Sequence, residues 1–135
     1  MKIYLDTNVF ISLINEEVGL NFRGLNIEAR DFFERVSQRG DTIYISDLFL
    51  LEAHKILHLE KKEIISKIKN QKVNFVILKK PNRANVLKFQ ELGIHHPDCI
   101  HTAIAFENCD CIITFNLKDF GPAKKFIPIF SPDDF

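Results

Sequence analysis

Apolar and polar positions follow one another along this chain in short blocks, some continuous apolar runs and others apolar residues recurring at helical spacing. Ile3, Tyr4 and Leu5 make an apolar run that stops at Asp6, and Asn8 to Asn15 (NVFISLIN) has helical character, entered through Thr7 or Asn8 as cap. The first unit therefore reads strand, acid, helix. Residues 16 to 26, with Gly19, Gly24 and several Asn, predict a loop. Ala29, Phe32, Phe33 and Val36 then recur at helical spacing and predict a helix over roughly 27 to 39 that stops at Gly40.

The same reading continues to the other end. "TIYIS" (42–46) is a second strand whose Ser46 caps a helix from Asp47 to about Leu59, followed directly by the helix-like "KKEIISKIKNQ". "VNFVIL" (73–78) is a third strand. Pro81 opens a helix through Leu92 that ends at Gly93, and Pro97 opens another from Asp98 to Glu107, since proline suits the first helical turn. "CIITF" (111–115) is a fourth strand, and "FIPIF" reads as a last short edge strand because proline cannot donate to a central ladder. Short apolar strands alternating with helices predict one α/β domain over residues 1–135. Its expected form is three layers, with a central, mostly parallel sheet of four to five strands flanked by helices.

In such sheets functional residues gather at the carboxyl ends of the strands. Asp6 follows the first strand, and Thr114, Asn116 and Asp119 follow the fourth, so both sets are expected on one rim. Glu52 shares a helix face with Leu48, Phe49 and Ile56, which puts a charge inside an apolar stripe, where it needs a partner. Asp98 stands in the first turn of its helix, with His101 and Thr102 on its own face. Taken singly, each acid has an ordinary structural account as a cap, an ion-pair partner or a helix-start residue. Together at one rim they would repel one another unless a hard cation neutralised them, and an oxygen-only set suits Mg²⁺ or Mn²⁺.

Composition narrows the choice of partners. Lys and Arg together number 18, as do Asp and Glu, so the chain lacks the basic excess of a protein that simply coats nucleic acid. Any nucleic-acid contact must use a local track, for which Arg23, Arg30, Lys55, Lys61, Lys62, Lys118, Lys124 and Lys125 are the candidates. Three cysteines without a disulfide spacing point to a reducing compartment, and Asp6 breaks the first apolar run too early for a signal-peptide core. No stretch reaches the roughly 20 apolar residues of a membrane span, so a cytoplasmic setting is expected. There is no Walker loop and no G-x-G-x-x-G, and Cys99-x-His101 and Cys109-x-Cys111 are spaced too tightly for the usual zinc pairs.

Four segments, "YLDTNVFISLI", "ISDLFLLEAHKIL", "HHPDCIHTAIA" and "CDCIITFNLKDFG", resemble in order and spacing those of PIN-domain nucleases, including the VapC-like ribonuclease toxins. The resemblance implies a PIN-like fold in which Asp6, Glu52 and Asp98 are metal-binding acids. The fourth position stays open between Asn116, which stands where many members have Asp, and Asp119. Thr7 and Asn8 match polar residues that help hold acids, waters or substrate phosphate, Thr114 matches a site-lining hydroxyl, and His101 is placed either to approach substrate or to hydrogen-bond a carboxylate. The implied activity is divalent-metal-dependent hydrolysis of RNA, with an antitoxin partner in the toxin reading and a homodimeric assembly. The alternative is a PIN-like module that binds nucleic acid or serves as a scaffold without turnover, against which the retained Asp6, Glu52 and Asp98 speak. Phe32, Phe33, Phe49 and Phe89 would line a partner groove or form core, and with 13 phenylalanines in so small a domain the core is the expectation.

Overall fold

Among the described residues five strands form, and every pairing among them is parallel. The computed structural model describes residues 1–14 and 25–135; the expectations for residues 15–24, including most of the predicted loop and Arg23, lie outside the described residues. In chain order the elements are β1 (Lys2–Leu5), α1 (Thr7–Ile14), α2 (Leu25–Arg39), β2 (Thr42–Ser46), α3 (Asp47–Leu57) and α4 (Lys61–Lys69). There follow β3 (Asn74–Leu78), α5 (Arg83–Glu91), α6 (Asp98–Asn108), β4 (Cys111–Ile113), α7 (Leu117–Phe120), a 3₁₀ turn at Gly121–Ala123 and β5 (Ile129–Phe130).

The sheet order is β3-β2-β1-β4-β5. The chain builds outward from β1 through β2 to β3, then returns to the other side of β1 as β4. The reversal leaves a crevice above the carboxyl ends of β1 and β4, the place where open parallel sheets bind ligands. The proline-flanked β5 is an edge strand, as the sequence predicts, and lies beside β4.

Alternation along the strands divides the interior into two apolar layers. Ile3, Leu5, Ile43, Ile45, Cys111 and Ile113 point to one face and pack with Phe10, Phe32, Phe33, Val36, Phe49 and Ile64 from α1 to α4. Tyr4 and Ile112 point to the other, among Phe89, Ile104, Phe120 and Ile127. Each such large apolar side chain contributes roughly 1.5–3 kcal/mol when fully buried. Phe32, Phe33, Phe49 and Phe89 are all at most 1% exposed, so these phenylalanines are core and line no surface groove.

Local chemistry moved several element boundaries. Helix α1 begins at Thr7 with Asp6 in the position before it: the Asp6 carboxylate accepts from the Thr7 N–H, and its carbonyl accepts from the Val9 N–H. The acid itself, instead of Thr7 or Asn8, caps the helix. Helix α3 ends at Leu57 because His58 turns to φ 57°, and its N–H closes on the His54 carbonyl. The helix expected to open at Pro81 starts at Arg83, where the Asn82 side chain accepts from the Ala84 N–H. Ile56, expected in the apolar stripe of α3, is 55% exposed.

Candidate active site

Asp6 sits at the crevice between β1 and β4, 5% exposed. One carboxylate oxygen accepts from the Thr7 N–H at 2.8 Å, and the other accepts from the Thr114 hydroxyl at 2.7 Å. Thr114 follows β4 and in turn accepts from the Asn116 N–H at 2.9 Å, so one hydroxyl ties the first acid to the turn after the fourth strand. The Asn8 side chain accepts from the Phe115 N–H at 3.4 Å and pins the same turn to α1. Burial pushes the Asp6 carboxyl above its ordinary pKa, against the pull of His101 and the Thr114 hydrogen bond.

Glu52 arrives on α3, whose first turn is capped by the Ser46 hydroxyl accepting from the Phe49 N–H. Its Oε1 accepts from the Thr7 hydroxyl at 2.6 Å and meets His101 Nε2 at 2.6 Å. The expected partner of the charge in the apolar stripe is therefore His101. Burial raises the Glu52 pKa, but the His101 hydrogen bond and charge, with the Thr7 hydrogen bond, outweigh it and hold the group below its ordinary value. His101 is displaced the other way: burial works against its charge, while Glu52, Asp6 and Asp98 raise its pKa. At 1% exposed, with Nδ1 against the Tyr4 hydroxyl at 2.6 Å, His101 stands behind Glu52 and offers no face to the cleft.

Asp98 starts α6, and the Thr102 hydroxyl donates to its carbonyl at 2.8 Å. Among the described residues its carboxylate has no hydrogen-bond donor. Burial, reinforced by the charges of Asp6, Asp119 and Glu52 against the opposing pull of His101, pushes its pKa up to about 6. Asp6, Thr7, Asn8, Glu52, Asp98 and Asn116, with Ile11 and the exposed Ile56, line one cleft of about 160 Å³. Of the two claimants to the fourth position, Asn116 lines this cleft. Asp119 is an exposed residue of α7 outside the lining, and acts there through its charge on Asp98.

A family model for the PIN domain matches residues 3–121. The chain belongs to the PIN domain family. Among solved structures, a chain of VapBC2 from Rickettsia felis bound to a DNA fragment from their promoter superposes with a TM-score of 0.63 at 19% identity, covering 97% of this chain and 98% of that one. A chain of VapBC-1 from nontypeable Haemophilus influenzae superposes with a TM-score of 0.62 at 22% identity, covering 98% of each. At these identities the likeness speaks for the fold. No curated protein matches the sequence.

PIN domains are nucleases that generally use divalent metals, and the donors of this PIN domain can be weighed against such an ion. The cleft presents carboxylate, amide and hydroxyl oxygens, the donor class of a hard cation. Among the described residues no group of three or more His, Cys, Asp or Glu side chains stands together as a metal cage. Among the described residues no helix is long and apolar enough to cross a membrane.

Sequence reasoning did not find Tyr4 and Ser46, whose oxygens meet at 2.8 Å behind His101. A signal was present: a tyrosine within a buried apolar strand needs a partner for its hydroxyl.

Proposed function

We propose that this PIN domain is a divalent-metal-dependent endoribonuclease of the VapC-like kind, acting in the cytoplasm as a homodimer and restrained by an antitoxin protein. The observation that carries the reading is the meeting of Asp6, Glu52 and Asp98, from three separate elements, in one cleft at the crevice between β1 and β4. Burial, reinforced by the charges of Asp6, Asp119 and Glu52, pushes Asp98 up to about 6, and a positive ligand in the cleft would relieve that cost. The VapBC complexes among the structural neighbours support the toxin and antitoxin parts of the reading.

Each side chain has a part in this reading. Asp6, fixed through both oxygens, and Glu52, fixed through one, present carboxylates whose positions are set before a ligand arrives. Asp98, without a donor, adjusts to the ligand. Asn116 serves as a neutral donor or ligand at the fourth corner, while Asp119 adds negative field from outside. Thr7 and Asn8 hold acid and turn, and Thr114 locks Asp6. A bound Mg²⁺ or Mn²⁺ supplies Lewis acidity, acidifying water for attack and offsetting charge on the phosphate. Exposed Lys55 on α3 and Lys118 on α7 lie within two residues of the cleft-lining Ile56 and Asn116 and suit contact with the flanking RNA backbone.

The test is thermal unfolding in EDTA and then in millimolar Mg²⁺ or Mn²⁺, beside cleavage of a mixed-sequence RNA, for wild type and Asp6→Asn. Metal at about 100 times its Kd stabilises the folded state by roughly 2.7 kcal/mol and raises the melting temperature. Asp6→Asn is expected to fold, to lose that rise and to lose cleavage by more than the roughly 10- to 100-fold that outer partners of a metal site carry. A wild type indifferent to both ions and inert toward RNA overturns the enzyme reading and leaves a binding module.

A further inference from the structure

The polar chain behind Glu52 is longer than one ion pair requires. Ser46 Oγ meets the Tyr4 hydroxyl at 2.8 Å, the hydroxyl meets His101 Nδ1 at 2.6 Å, and His101 Nε2 meets Glu52 Oε1 at 2.6 Å. The first three residues come from β2, β1 and α6, and each is at most 1% exposed. Buried polar groups cost stability unless every one is partnered, and apolar side chains of similar volume would fill this space more cheaply. No described buried side-chain polar atom lacks a partner, so the network is complete.

The directions of the bonds are constrained. Nε2 faces a carboxylate oxygen and so carries a proton, while Nδ1 and the Tyr4 hydroxyl pair with each other, which fixes the ring in one orientation. Ser46 also accepts from the Phe49 N–H, tying the far end of the network to the first turn of α3, the helix that delivers Glu52. At the near end both described hydrogen bonds to Glu52, from Thr7 and His101, land on Oε1. Oε2 receives none from the described residues.

We propose that Tyr4 and His101 are positioning residues: the Ser46–Tyr4–His101 network clamps Oε1 of Glu52 and thereby selects Oε2 as the oxygen presented to the cleft. The proposal rests on the nuclease reading above and adds a buried support that acts only through Glu52. Tyr4→Phe removes one oxygen from that support and changes no cleft-lining group.

Three proteins decide it: wild type, Tyr4→Phe, and Ile64→Val, a core truncation on α4 in the other apolar layer that measures the effect of lost stability alone. Mn²⁺ binding is read by calorimetry, and kcat and KM on a short RNA are read at saturating Mn²⁺. Tyr4→Phe is expected to bind Mn²⁺ about tenfold more weakly and to lose about tenfold in kcat with KM unchanged, whereas Ile64→Val matches wild type in all three. Equal Mn²⁺ affinity and kcat in Tyr4→Phe and wild type overturn the positioning role and leave the nuclease reading standing. A wild type that neither binds Mn²⁺ nor cleaves RNA overturns both. If Tyr4→Phe does not fold, His101→Gln decides by the same readouts.

Discussion

On α3, Glu52 accepts two hydrogen bonds of 2.6 Å and its pKa is held below the ordinary value; on α6, Asp98 has no described donor to its carboxylate and is pushed up to about 6. Both acids line the same cleft, and His101 favours the charge of each. The difference lies in what stands behind them. Glu52 is backed by a buried imidazole that favours its charged form, so its ionisation stabilises the folded protein. Asp98 is half-buried without a described donor and is faced by the charges of Asp6, Asp119 and Glu52, so its ionisation costs the fold stability. One side of the cleft is preorganised and the other is under load, the division expected where function is bought with local instability.

Neutralising each acid in turn is the strongest way to break this contrast. Glu52→Gln keeps the shape but takes the charge from a buried His101, and since the Glu52 side chain is 23% exposed the cost is set below that of a fully buried pair. A loss of about 2 kcal/mol in urea unfolding at pH 7 is expected. An unchanged midpoint would mean that the His101 contact contributes nothing to the fold.

Asp98→Asn is expected to move stability the other way. Removing a carboxylate that burial and its acidic neighbours disfavour raises metal-free stability by about 1 kcal/mol at pH 7, after allowance for solvent screening. Melting in EDTA reads the gain, and the same variant loses response to Mn²⁺. A destabilised Asp98→Asn would show that the helix-start role of the charge outweighs the repulsion.

The smallest effect is a slope with pH. The folded-state pKa of Asp98, about 6, lies above its ordinary 3.8, so between these values the folded state binds the proton more tightly. This contribution to stability is fully present below about 3.8 and is lost as pH rises through 6. Subtracting the metal-free stability curve of Asp98→Asn from that of wild type is expected to give a difference that falls across this window. A flat difference would mean that Asp98 titrates as an ordinary acid.

Much of this was legible in the sequence because the signals are local. The short apolar runs of β1, β2 and β4 and the 3.6-residue recurrence of Ala29, Phe32, Phe33 and Val36 named their elements, and Pro128 marked β5 as an edge. Boundaries were less legible where one side chain decided them, as Asn82 did for α5 and the left-handed His58 did for α3. Glu52 announced its need for a partner, but its partner lies 49 positions away. Ile56 fitted the apolar stripe by spacing, yet it is 55% exposed and lines the cleft.

By itself, the sequence determined the parallel α/β architecture and the place of Asp6 and Asn116 at the carboxyl ends of β1 and β4, since these follow from residue type and short-range spacing, while Glu52 and Asp98 were joined to them only by the family resemblance. Only the tertiary structure decided that Thr114 locks Asp6, that Asn116 and not Asp119 lines the cleft, and that Tyr4 and Ser46 stand behind His101. Those facts depend on which strands become neighbours when the chain reverses about β1. Long-range proximity of that kind, together with burial, sets the pKa directions and hydrogen bonds that no window of adjacent residues encodes.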